Sequence, residues 1–221
     1  MITLKYFKKE ESVYLSHIDV LRHLTRSFKR AGFDVKYSSG FNPHMLVKLG
    51  VPLPLGIYSS AEYVTVDCNM DPDVFLQCYN EVCVKGMEGA RAFLTEKNPN
   101  LAAKVLYADY SIRALPGNKA QEIDDLVNKR ELVVAYPTRR DPSEQRDIAP
   151  ELCAVKCYPD SINVCISALK LRADVLCETF SREFGIETDV TEIWRYNQYV
   201  RDGYLKNVDE YLESISRRVS R

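Results

Sequence analysis

Long apolar runs are missing from this sequence. No stretch approaches the ~18 residues that a membrane-crossing helix needs, so no membrane is expected among its partners. The opening residues Met1 to Tyr6 read as a strand and lack the apolar core of a signal peptide, which makes the cytoplasm the expected location. Catalytic signatures are scarce too. There is no Gly-rich phosphate loop and no Gly-x-Ser-x-Gly, which argues against P-loop enzymes and elbow-type hydrolases. The seven cysteines include no Cys-x-x-Cys, and the pair Cys153 and Cys157 has no third thiol or nearby histidine at ligand spacing. Reduced, structural cysteines are therefore expected, and no metal or other cofactor. Charge of one sign is also lacking: 30 basic residues face 31 acidic ones, for a net charge of −1. The chain as a whole is not a polycation that coats nucleic acid.

The charge that is present is unevenly spread. Residues 1–50 carry nine Lys or Arg against four Asp or Glu, a net +5, whereas residues 51–95 carry two against six, a net −4. Much of the positive charge lies in one amphipathic segment. Ser16, with Asp19 three residues on, marks a helix start, and Gly32 marks its end, giving a helix over His17 to Ala31. Leu21, Leu24, Phe28 and Ala31 recur on one side and predict a core face, while Arg22, Arg26, Lys29 and Arg30 recur on the other. These four cations are either a solvated face or a ridge that meets phosphates. Lys36 then leads into Tyr37-Ser38-Ser39-Gly40-Phe41-Asn42-Pro43-His44, a loop ordered by its own covalent stiffness. Gly40 tolerates a positive φ and Asn42-Pro43 favours a turn, so Ser38, Asn42 and His44 sit on a fixed backbone. Tyr37 and Phe41 either stack on unpaired bases or pack beneath the loop.

Around this core the elements read strand, helix, two strands, helix, strand. A strand over residues 2–7 resumes at Val13 to Leu15, short strands flank the loop, and Asp71-Pro72 opens a second helix ahead of a last strand within Val84 to Leu94. Residues 95–104 resemble a linker, and the order then recurs. The expected fold class is α+β: two tandem ferredoxin-like (β-α-β-β-α-β) units, over 1–97 and 105–205, with a helical tail over 206–221. Residues 137–150 read as a polar loop in which Arg139, Arg140 and Arg146 are diluted by acids.

The strings Leu15-Ser16-His17-Ile18-Asp19, Lys29-Arg30-Ala31-Gly32, Tyr37 to His44 and Pro52-Leu53-Pro54-Leu55-Gly56 fall in order within the first quarter of the chain. Together they resemble the bacterial radical SAM-linked protein family, a domain of unknown function. The second half is matched more loosely, at Arg146-Asp147-Ile148 and Leu171 to Leu176. The family pattern has Pro where this chain has Met45 and Ala173. The resemblance implies a radical SAM protein, encoded beside or fused to such chains, as a partner. The leading expectation is a non-catalytic accessory protein that binds RNA or a ribosome-associated substrate through Arg22, Arg26, Lys29, Arg30, Lys36, Tyr37, Ser38, Phe41, Asn42 and His44. One alternative is a metal-independent endoribonuclease similar to CRISPR repeat-processing enzymes, with His17 and His44 as acid and base. Another is a protein–protein adaptor that binds no nucleic acid. His17, Asp19 and His44 are acceptable metal ligands by type but lack a closed spacing.

Overall fold

The computed structural model describes residues 1–129, 132–135, 141 and 144–216. They form two compact units: Met1–Val105 together with the chain from Tyr199 onward, and Leu106–Gln198. The fold class is α+β, with antiparallel sheets and helices.

In the first unit β1 is Ile2–Lys8, α1 His17–Arg30, β2 Val47–Leu49, β3 Tyr58–Val66, α2 Pro72–Val82 and β4 Gly89–Leu94. The strands lie in the order β4-β1-β3-β2, and every pair is antiparallel. That is the ferredoxin-like arrangement expected from the element order. Local chemistry sets the helix starts. The Ser16 hydroxyl accepts from the Asp19 amide at 3.2 Å and donates to the Asp19 carboxylate at 2.6 Å. Asp71 accepts from the amides of Asp73 and Val74, with Pro72 at the first helical position. The helices cover one sheet face, where Phe28, Phe33, Phe75 and Tyr79 form an aromatic cluster. Phe33 and Phe75 stack at 4.1 Å between centroids, and the Tyr79 hydroxyl pins the turn before β4 by donating to the Met87 carbonyl.

After β4 a short helix, α3 (Leu101–Lys104), precedes the second unit. There β5 is Val105–Arg113, α4 Ala120–Lys129, β6 Val133–Ala135, β7 Gln145–Asp147, β8 Leu152–Cys157, β9 Ser161–Ser167 and α5 Ala173–Phe184. The strands β5-β9-β8 are neighbours in that order, antiparallel, and β6 and β7 form a separate ribbon. The strand β10 (Ile193–Asp202) leaves this unit at Tyr199. It continues through β11 (Tyr204–Asn207) into α6 (Val208–Ile215), which belong to the first unit. Among the described residues no helix is long and apolar enough to cross a membrane.

Several local expectations change. Residues 10–14 form a 3-10 turn, not a continuation of the strand. Ser12 bonds both the amide and the carbonyl of Lys9 and also donates to the Gly86 carbonyl, which bends the chain there. Residues 33–36 are not a strand: Phe33 and Val35 are drawn into the core beneath α1. The stretch 95–104 is not a free linker. Thr95 bridges to Ser216, Leu101 is buried and Lys104 donates to the Tyr211 hydroxyl at 2.6 Å. The tail expected over 206–221 packs on the first unit because Asp209 receives bonds from Lys5 and Tyr63, both at 2.7 Å. Part of the loop expected over 137–150 is strand β7, paired to β6. Arg139, Arg140 and residues 217–221 lie outside the described residues.

Candidate nucleic-acid interface

The first unit sets α1 beside the loop that follows it. The loop is a small hairpin: Tyr37 bridges Met45, the Ser38 amide donates to the His44 carbonyl at 2.8 Å, and the Leu46 amide donates to the Lys36 carbonyl at 2.9 Å. Side chains lock the same rung. The Ser38 hydroxyl lies 2.8 Å from Nδ1 of His44 and accepts from the His44 amide at 3.0 Å. Ser38 and His44 therefore brace each other, and Gly40 takes φ 123° at the tip. The tip carries Phe41 entirely in solvent and leaves Tyr37 45% exposed. Neither aromatic packs beneath the loop. Asn42 is exposed beside Phe41.

The cations of α1 divide by partner. Arg22 pairs with Asp19 at 3.2 Å. Lys36 pairs with Asp67, also at 3.2 Å. Arg30 donates to the Val82 carbonyl at 2.9 Å and the Ser27 hydroxyl at 3.1 Å, so its charge stays uncompensated by an acid. Arg26 is exposed and, among the described residues, has no acidic partner. Lys29 reaches over the Tyr37 ring, 5.9 Å from its centroid, which ties the helix face to the loop. Among the described residues Arg26, Lys29 and Arg30 thus form a cationic patch without acidic partners, joined through Lys29 to the half-exposed Tyr37 ring. The field of that patch is felt at His23, half-buried on the same helix. Burial first, then the Arg30 and Arg26 charges, hold its pKa below the ordinary value of 6.5.

His17 lies elsewhere. It lines a cleft of about 330 Å³ with Lys48, Asn98 and Asn100, whereas His44 is not among the residues around that cleft. This cleft does not bring the two histidines together. Among the described residues no group of acids, histidines and cysteines is arranged to hold a metal, and all seven cysteines are free thiols. Sequence reasoning missed the cleft because Asn98 and Asn100 sit in a stretch that reads as a linker. Leu101, buried at the start of α3, is three residues past Asn98 and adjoins Asn100.

Among solved structures, a chain in "Crystal Structure of a Cbf5-Nop10-Gar1 Complex" is similar over 89% of this chain and 48% of its own length, at 10% identity and a TM-score of 0.45. The chain therefore spans about half of that solved chain. No curated protein matches it in sequence. A family model does match, over residues 1–179, and its span includes α1, the bonded loop and the cleft; the chain belongs to this family, described as an uncharacterized protein conserved in bacteria (DUF2344).

Proposed function

We propose that this protein is a non-catalytic accessory factor that holds single-stranded RNA on the α1 face and delivers it to a radical SAM enzyme. The observation that carries the reading is the joining of two features. Among the described residues Arg26, Lys29 and Arg30 have no acid partner, and Lys29 spans to Tyr37 in the loop whose Phe41 is fully exposed. Cations meet phosphates and rings stack on bases, with each stacked base contributing ~1–3 kcal/mol. A loop braced by Ser38 and His44 loses little freedom on binding, so more of the contact energy remains as affinity. The partner enzyme rests on the motif strings of the first quarter of the chain, which resemble the radical SAM-linked family. Against an endoribonuclease stands the lining of the cleft, which includes His17 but not His44 and so does not pair the two histidines around one reacting phosphate.

The test is binding of a fluorescent oligoribonucleotide across a salt series, for wild type, an Arg26→Ala/Lys29→Ala variant and Phe41→Ala. Wild type should weaken as salt rises, and losing two phosphate contacts should flatten the log–log slope by about 1.4. Phe41→Ala should weaken binding at every salt concentration with the slope unchanged. Identical curves for all three proteins would sink the reading and leave a protein–protein adaptor as the better one.

A further inference from the structure

The cleft that contains His17 is separate from the α1 cation patch. It lies at the edge of β2 in the first unit, between the start of α1 and the segment Asn98–Ala102. Its volume, about 330 Å³, is at the small end of the ~300–1,000 Å³ typical of small-molecule pockets. Leu21, Val47, Leu49, Pro52, Leu101 and Ala102 give it apolar walls. The polar groups of its floor are already satisfied: the Thr65 hydroxyl is 3.0 Å from that of Thr3, and the Tyr63 hydroxyl donates to Asp209 at 2.7 Å. The polar groups of its rim are not. Among the described residues the side chains of His17 and Lys48 have no hydrogen-bonding or ionic partner. The Asn98 side-chain oxygen accepts from the Asn100 backbone N–H at 2.9 Å, and among the described residues the Asn98 side-chain amino group and the Asn100 side-chain amide have no hydrogen-bonding partner. Asn100 adopts φ 52°, a left-handed conformation that asparagine tolerates better than most residues and that fixes the rim. No described residue lining the cleft carries a carboxylate, although Glu62 lines a smaller hollow next to it.

We infer that this cleft binds a nucleoside monophosphate group, as a free nucleotide or as the phosphorylated end of an RNA. Lys48 and His17 take the phosphate as charged and hydrogen-bonding donors. The aliphatic walls take the flat faces of the base, and the amides of Asn98 and Asn100 offer donors and an acceptor to its edge. Adenosine lacks the anion and inorganic phosphate lacks the ring, so each should bind more weakly than the whole. The inference does not depend on the RNA face of α1, because its residues and its ligand can be varied separately.

The experiment titrates the full chain with each of the four ribonucleoside 5′-monophosphates, adenosine and inorganic phosphate, by calorimetry. At least one monophosphate should bind about tenfold or more tighter than adenosine and phosphate. A His17→Ala/Lys48→Ala variant, altered at two exposed positions, should lose about tenfold or more of that affinity. Arg26→Ala/Lys29→Ala should retain it. A 5′-phosphorylated oligoribonucleotide that displaces the nucleotide, where its 5′-hydroxyl counterpart does not, identifies an RNA end as the source. No displacement by either identifies the free nucleotide. The inference is overturned if no monophosphate binds, if adenosine binds equally well, or if the His17→Ala/Lys48→Ala variant binds as wild type does.

Discussion

At the scale of single residues, what distinguishes the candidate interface is which charges are left over. Arg22 and Lys36 look equivalent to Arg26 and Lys29 in the sequence, yet each faces an acid at 3.2 Å. Exposed pairs of this kind contribute only ~0–1 kcal/mol to stability, but they reduce the positive field a phosphate would meet. His23 reports the field that remains. Its folded-state pKa lies below 6.5 through burial and the Arg30 and Arg26 charges, so the folded protein favours the neutral ring. Whatever stability this confers is fully present above about pH 6.5 and is lost as pH falls through the folded value. An NMR titration of His23 should therefore give a pKa below the ordinary range in wild type. Arg26→Gln/Arg30→Gln should raise it while leaving the burial effect in place, and bound RNA should also raise it by offsetting the guanidinium charges. A value unmoved by the double substitution would mean that the patch exerts no field there.

Helices and loops show why some of this was legible in the sequence and some was not. The helix α1 begins where Ser16 and Asp19 said it would, and α2 begins at Asp71-Pro72, because a cap is made by residues two or three positions apart. Replacing Asp71 with Ala leaves two amides of α2 without their acceptor and should cost about 1 kcal/mol, read as a lower denaturant midpoint at unchanged slope. An unchanged midpoint would show that water caps the helix equally well. The loop after α1 was legible as a stiff turn from Gly40 and Asn42-Pro43. Its rung was not, since the contact between Ser38 and His44 depends on the return of the chain through Tyr37 and Met45. Leu21, expected on the core face, is only half-buried and lines the cleft beside Val47 and Leu49 of β2.

At the scale of the whole molecule, the first unit is closed by chain that is distant in sequence. Val208, Tyr211 and Leu212 of α6 are buried, and Asp209 satisfies Lys5 and Tyr63. A chain ended at Gly203 loses all of these, and burial of aliphatic side chains alone is worth ~1.5–3 kcal/mol apiece against a typical total stability of ~5–15 kcal/mol. Such a chain should melt well below the 221-residue chain, with Tyr63 newly accessible to solvent. Equal melting temperatures would show that α6 is dispensable to the unit it lies on. The sequence had set residues 206–221 apart as a tail because no local pattern says what an amphipathic helix packs against.

Sequence alone determined the α+β class, the order of strands and helices in the first unit, the starts of α1 and α2, and the concentration of positive charge in the first fifty residues. All of these follow from periodicity, capping and turn chemistry, which act over a few neighbouring positions. The tertiary structure decided that Lys36 meets Asp67, that Phe41 stands in solvent, that Asn98 and Asn100 wall a cleft with Lys48, and that the chain from Tyr199 returns to the first unit. Each of those depends on contacts between segments distant in sequence, and such contacts are fixed by how the pieces pack rather than by any residue's neighbours.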